Sequence, residues 1–198
     1  MARLGRLCPS RSVLLLCDLQ ERFRPIIHCF PQVVSAAARV RQGCQALGVP
    51  VLVTEQRPEV LGPTVPELGV QDLPKHPKTS FSMLVPPVQA ELRARPQLSA
   101  AILCGIEAQA CILQTTLDLL EQGLDVHVVV DACSSRSPMD RAVALGRLQQ
   151  SGAFLTTSES VLLLLLRDCA HPCFRQVLQL IKEQVPGREL LMGGPGGL

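Results

Sequence analysis

The chain has 198 residues, 47% of them apolar and 18% charged, with 19 basic and 17 acidic side chains giving a formal net charge of +2. That apolar content excludes a disordered chain, and the near-balance of charge supplies no basic stripe for a phosphate backbone. Aromatics make up 3%, with no Trp and no Tyr, so the core must be aliphatic and no stacking platform for single-stranded nucleic acid can be built.

The length predicts one domain. The longest apolar run, Val161 to Leu166, is six residues, against about 20 for a bilayer span. Neither nucleic acid nor membrane is therefore an expected partner. The nine cysteines are odd in number and irregularly spaced, unlike a secreted disulfide framework. They indicate a reducing compartment: cytoplasmic, with the nucleus also open to the chain. In that setting Cys17, Cys44 and Cys104, inside apolar stretches, read as small packing groups. Met1 to Arg11 holds three Arg and no acid, which fits a frayed basic tail better than a mitochondrial presequence.

Short β-rich runs alternate with helical patterns, which predicts βαβ units and a mainly parallel sheet. The first strand is Val13 to Cys17, apolar on both faces as a central parallel strand should be. A helix follows from about Pro31 to Leu47, where Val33, Ala37, Val40, Cys44 and Leu47 fall on one stripe. Pro31 suits its first turn and Gly48 its end. The second strand is Val51 to Thr54. Residues 56–77, with five prolines, read as an irregular loop, and loops of that length in compact domains are usually functional or mobile. A short edge strand is expected at Lys78 to Phe81, then a helix at about 87–95 and a strand at 101–104 ending on Gly105. A helix spans about 109–122, and a strand spans 126–130. Ser137-Pro138-Met139-Asp140 reads as a capped helix start. That helix runs to Gly152, a sixth strand covers 153–155, and two short helices at about 159–167 and 172–183 close the domain.

The expected architecture is a three-layer α/β/α fold, a doubly wound, mostly parallel sheet of five to six strands in one domain over 11–184. It is flanked by flexible tails, an N-terminal one over 1–10 and a Gly/Pro-rich one over 185–198.

In such sheets ligands bind beyond the carboxyl ends of the strands. Asp18 directly follows the first strand, Lys78 sits at the short third strand, and Asp131 follows the 126–130 strand. Cys111 lies past the 101–104 strand near a helix N-terminus, where unsatisfied N–H groups lower a thiol's pKa. Position alone leaves each open. Cys111 is a packing thiol or a nucleophile, Asp18 a turn cap or a buried carboxylate needing a cation, and Lys78 a solvated lysine or that cation. Asp131 caps the next turn or borders the pocket. Cys169-Ala170-His171-Pro172-Cys173 lacks a second ligand pair for zinc. Gly193 to Gly197 is no phosphate loop, since no strand precedes it. Leu162 to Leu166 is expected to face the core or another subunit.

Leu16-Cys17-Asp18-Leu19-Gln20, Lys78-Thr79-Ser80-Phe81 and Cys104-Gly105-Ile106-Glu107-Ala108-Gln109-Ala110-Cys111-Ile112 resemble, in order and spacing, the motifs of the isochorismatase-like cysteine hydrolase superfamily. The likeness covers about residues 12–182, and Thr54-Glu55-Gln56 with Leu61 to Leu68 narrows it to an animal branch. The resemblance implies a triad of Cys111 as nucleophile on a carbonyl carbon, Asp18 as proton carrier, and Lys78 holding Asp18 and favouring the thiolate. It also implies a cis peptide at Ile106–Glu107 and an oxyanion hole from the amides of Glu107 and Cys111.

Gln20, Phe23, Gln56 and Phe81, flanking these motifs, are the expected substrate-contacting residues. The Asp-x-His metal motif of the nicotinamidase branch is replaced here by Thr54-Glu55-Gln56-Arg57-Pro58, so neither metal nor cofactor is expected. Arg57 departs from the aromatic residue common at that place, which sets the substrate apart from that of relatives carrying one. The expected function is metal-independent hydrolysis of a small amide or related carbonyl or imine metabolite by a homo-oligomer. The alternative is a catalytically silent domain that binds a protein partner.

Overall fold

A computed structural model describes residues 4–183. Six strands, β1 (Ser12–Cys17), β2 (Val51–Gln56), β3 (Lys75–Lys78), β4 (Ala100–Ile106), β5 (Asp125–Ser134) and β6 (Phe154–Thr156), form one sheet in the order β3-β2-β1-β4-β5-β6. Every neighbouring pair is parallel. The helices are α1 (Phe30–Ala46), α2 (Pro58–Leu61), α3 (Pro86–Arg93), α4 (Leu113–Glu121), α5 (Pro138–Gln150), α6 (Ser158–Leu166) and α7 (Phe174–Lys182). The expected C-terminal tail lies outside the described residues.

Both sheet faces are covered, and the apolar strands show why. Along β1, Leu14 and Leu16 enter the core under α1 and α6, while Val13, Leu15 and Cys17 enter the core on the other face, with Val88 and Leu92 of α3 and Leu119 of α4. A strand buried on both sides needs no polar alternation, and all six β1 residues are buried. In α1 the stripe Val33, Ala37, Val40 and Cys44 is buried, and the chain turns at Gly48 with φ +72°. Ser137 caps α5 by accepting from the Asp140 N–H at 3.2 Å, with Pro138 in the first turn. Leu7, within the expected N-terminal tail, is only 2% exposed and joins the α1-side core.

Several boundaries differ from expectation: β2 runs on to Gln56, β4 covers Ala100–Ile106, and the helix expected at about 109–122 opens as a π-turn before α4 begins at Leu113. β3 covers 75–78 rather than 78–81, because it pairs with β2 in the register Val53↔Lys75 to Gln56↔Lys78 and so puts Lys78 at its carboxyl end. It is an edge strand. The Lys78 carbonyl accepts from Arg57 N–H on the β2 side, so by alternation the backbone of Pro77 faces away from the sheet. β5 runs on to Ser134 across a register shift between Leu103 and Gly105. The 56–77 stretch is not wholly irregular: it holds α2 and a 3-10 turn at Pro66–Leu68.

Asp131 is buried, 2% exposed. Its two carboxylate oxygens accept from the Ser158 N–H at 2.8 Å and hydroxyl at 2.6 Å, which caps α6 from β5. Leu162 and Leu166 pack on Val177 of α7, while Leu163 and Leu164 stay partly exposed beside Arg6 and Arg167. In the 169–173 stretch the His171 Nδ1 accepts from the Cys173 N–H at 3.1 Å, and the Cys173 thiol faces the Ala46 carbonyl at 3.4 Å.

His127 of β5 is 2% exposed and stacks on Phe154 with ring centroids 5.0 Å apart. Burial pushes its pKa down to about 4, against a weaker upward pull from Asp125. The unfolded chain takes up this proton near pH 6.5 and the native chain only near 4. Stability is therefore whole above pH 6.5 and is lost as pH falls from there toward 4, by roughly 3 kcal/mol in total. Urea midpoints between pH 7 and 4 should fall steeply for the wild type and less so for His127→Gln; parallel slopes would count against this account.

Candidate active site

β1 lies between β2, which leads outward to β3, and β4, which leads back toward β6. The carboxyl ends of β1 and β4 are thus the point where the winding reverses and a crevice opens. Asp18 follows β1, Gln56 ends β2, Lys78 ends β3, and Cys111 follows β4 by five residues. Four segments distant in sequence meet there.

Asp18 leaves the strand in a left-handed conformation, φ +52°, which Asp tolerates better than most residues. Its N–H donates to the Thr54 carbonyl at 3.2 Å and its carbonyl accepts from Gln20. The Thr54 hydroxyl donates to Oδ1 at 2.8 Å, and the Lys78 ammonium lies 2.7 Å from Oδ2. The ion pair is sealed, with side-chain exposures of 0% for Lys78 and 1% for Asp18.

The Lys78 Nζ also reaches Gln56 Oε1 at 2.5 Å, the Ser80 and Phe81 carbonyls at 3.0 Å each, and Cys111 Sγ at 3.5 Å. An ammonium has three protons, so five acceptors compete for them. Burial works against the charge, yet Cys17, Asp18 and Cys111 together outweigh it and raise the Lys78 pKa. The cation is therefore permanent at neutral pH.

Cys111 lies in a π-turn, Ala108–Ile112, that opens into α4. Single π-turns of this kind gather at functional sites. The Glu107 carbonyl accepts from the N–H groups of Ala110 at 3.1 Å and Ile112 at 3.2 Å, straddling Cys111. The Ile106–Glu107 peptide is cis. Thr115 ties this turn to the loop after β3: its hydroxyl donates to the Cys111 carbonyl at 2.6 Å and accepts from the Met83 N–H at 2.9 Å.

The expected substrate-contacting residues are placed differently from one another. Gln20 is fully buried, and its amide clamps the Gln56 backbone and the Gly62 carbonyl. Gln56 accepts from the Lys78 ammonium on Oε1 and donates from its NH₂ to the Thr79 carbonyl. Phe23 is half-buried against the α1-side core, and Phe81 is 53% exposed. Arg57 lies on the surface paired with Glu59 at 3.0 Å. On the β5 side Glu107 is held by the Arg136 N–H at 2.9 Å, and Ser135 donates to Gln109 at 2.6 Å.

Two participants escape a reading of the sequence. Thr54 orients the carboxylate, although nothing marks it among strand residues. Cys17, which its apolar strand marks only as a packing thiol, brings its Sγ into a cluster with an Asp18 oxygen and Cys111 Sγ, all within 4.8 Å of one another. Its signal was the strand alternation: positions 13, 15 and 17 share the face on which Cys111 packs. Burial drives the Cys17 pKa well up, with Cys111 and Asp18 adding to it. Cys17, Asp18 and Cys111 are the only group among the described residues with metal-ligand spacing. The Lys78 ammonium, 2.7 Å from the Asp18 carboxylate, already supplies that group with a positive charge.

The isochorismatase domain matches residues 12–160. The chain belongs to the isochorismatase family. Among isochorismatase-family relatives, isochorismatase domain-containing protein 2A of Mus musculus is 61% identical over 190 residues, covering 96% of this chain and 92% of that protein. Isochorismatase domain-containing protein 2 of Xenopus laevis is 58% identical, covering 96% and 93%. A solved structure of the MAR1 ribonuclease from Caenorhabditis elegans superposes with a TM-score of 0.89 at 44% identity, covering 98% of this chain and 100% of that one. YcaC from Escherichia coli shares the fold at a TM-score of 0.81 and 24% identity, covering 97% of each chain.

Proposed function

We propose that this isochorismatase-family chain is a metal-independent cysteine hydrolase of a small amide or related carbonyl or imine compound. The observation that carries the reading is the sealed contact of Lys78 with both the Asp18 carboxylate and the Cys111 sulfur. A fixed cation beside a thiol favours the thiolate, which is the nucleophile. Cys111 attacks the electrophilic carbon, its proton passes to Asp18, and Asp18 returns it to the leaving group. Lys78 holds Asp18 and offsets the sulfur's charge. The amides of Glu107 and Cys111 receive the developing oxyanion, a kind of contact worth on the order of 3 kcal/mol per donor. Water then releases the acyl group by the same proton route. Gln20 and Gln56 position the groups, and Phe23 and Phe81 contact the substrate.

Alkylation tests the reading. Brief exposure to iodoacetamide at pH 7, followed by peptide mass analysis, should modify Cys111 ahead of the other buried thiols. Lys78→Met should slow that modification about tenfold or more. Turnover of a panel of small carboxamides should then vanish in Cys111→Ala. A Cys111 no faster than Cys44 or Cys133, and indifferent to Lys78, would sink the proposal and leave the silent, partner-binding domain. The similarity to the C. elegans MAR1 ribonuclease supports a second reading, phosphodiester cleavage. A fluorogenic RNA should survive this protein intact; cleavage abolished by Cys111→Ala would replace the amide reading.

A further inference from the structure

The hydrolytic scheme uses one sulfur, yet the site holds two. We infer that Cys17 and Cys111 are a redox-active pair: a peroxide oxidises Cys111, and Cys17 closes on it as a disulfide that reversibly blocks the site. The inference rests on the reading of Cys111 as the reactive thiol, and goes beyond it.

The geometry is the first support. Cys17 is the last residue of β1, and its strand neighbour on β4 is Gly105, six residues before Cys111. Strand alternation turns Cys17 toward the α4 side of the sheet, the face on which Cys111 also packs. The two sulfurs lie within 4.8 Å, and a disulfide needs about 2.05 Å, so bond formation requires side-chain rotation at Cys111 and a shift of its turn. Access is the second support. Cys111 is 6% exposed while Cys17 is completely enclosed, so an oxidant meets Cys111 first and Cys17 can react only with Cys111.

The chemistry balances. The Cys111 thiolate attacks one oxygen of the peroxide; the S–O bond forms, the O–O bond breaks, and the departing oxygen leaves as water or alcohol after taking a proton. Sulfur is oxidised to the sulfenic acid and the peroxide is reduced. The Cys17 thiol then gives its proton to Asp18, whose carboxylate shares the cluster. The Cys17 sulfur attacks the Cys111 sulfur, the S–S bond forms, the S–O bond breaks, and hydroxide leaves as water with the proton from Asp18. Two thiols and one peroxide give one disulfide, one alcohol or water, and one further water. While Cys111 is tied up no nucleophile is available, and a small dithiol restores it. The enclosed Cys17 is poorly ionised, and the Asp18 charge adds to that, so its proton moves to Asp18 only as the S–S bond forms.

Hydrogen peroxide titration of the full chain tests this, with quenching by N-ethylmaleimide and non-reducing peptide mass analysis. The wild type should lose two hydrogens, yield a Cys17–Cys111 linked peptide, lose iodoacetamide labelling at Cys111 and regain it with dithiothreitol. In Cys17→Ser, Cys111 should be trapped by dimedone as the sulfenic acid and go on to sulfinic acid about tenfold faster than in the wild type. Cys17→Ala provides the same comparison if the serine variant does not fold. Equal sulfinic acid accumulation in wild type and variant, or a linked peptide involving other cysteines, overturns the pair. Rapid iodoacetamide labelling of Cys111 without a Cys17 link removes this inference alone. A Cys111 inert to both reagents removes the hydrolase reading as well.

Discussion

Lys78→Met is expected to lower stability by about 3–5 kcal/mol, because it leaves Asp18 as a buried charge without its cation. Both side chains are sealed from solvent, and the carboxylate keeps only the Thr54 hydroxyl and the dipoles around it. For a domain of this size the melting temperature should fall by roughly 10 °C. The conservative partner is Asp18→Asn, which removes the opposite charge. The double variant Asp18→Asn/Lys78→Met buries neither charge and should recover much of the loss, as pairs replaced together often do. Circular-dichroism melts of the four proteins form a cycle whose coupling term reads the pair directly. A Lys78→Met protein melting within about 2 °C of the wild type would show that water reaches the pair.

The second large effect is expected at Gly105. Its φ is +130°, and a Cβ built there would lie 2.1 Å from the Cys17 carbonyl oxygen and 2.8 Å from the Cys17 Cβ. The obstacle is backbone of the central strand and cannot swing aside. Gly105→Ala therefore combines an unfavourable conformation with overpacking, about 4 kcal/mol in sum. The relief available is for the end of β1 to move away from β4, which carries Cys17 and Asp18 off Cys111. The variant should thus lose both melting temperature and iodoacetamide reactivity at Cys111. Gly146→Ala is the control: it lies in α5 with nothing near its would-be Cβ, and should be neutral or stabilising. A Gly105→Ala protein with unchanged labelling would separate the strand contact from the site.

Much of this was legible in the sequence, for physical reasons that can be named. Val13 to Cys17 and Ala101 to Cys104 are apolar at every position, and only a strand covered on both sides needs that. The six-strand parallel sheet follows from such runs alternating with striped helices. Asp18 and Cys111 were findable because both follow strand ends, where the backbone leaves the sheet, and because their motifs keep order and spacing. Lys78 was findable only through its motif, since a lysine in a proline-rich loop carries no burial signal of its own.

The rest depended on tertiary contacts. Where β3 begins is set by its register against β2, which a four-residue strand cannot announce. The Gln56 side chain turned out to feed Lys78, because an amide's partner is chosen by whatever the fold brings near. Asp131 serves a helix 27 residues later, a pairing no local pattern encodes. Cys17 was hidden by its own strand, in which a thiol is as good a packing group as a methyl-bearing side chain.

Pro77 has a consequence for how copies of this chain can meet. Its nitrogen faces the open side of the outermost strand and has no hydrogen to donate. A second β-ribbon approaching that border would find the Lys75 amide and then a gap, and the opposite border, β6, offers only three residues. Fibre-like growth by sheet extension is therefore obstructed at both ends.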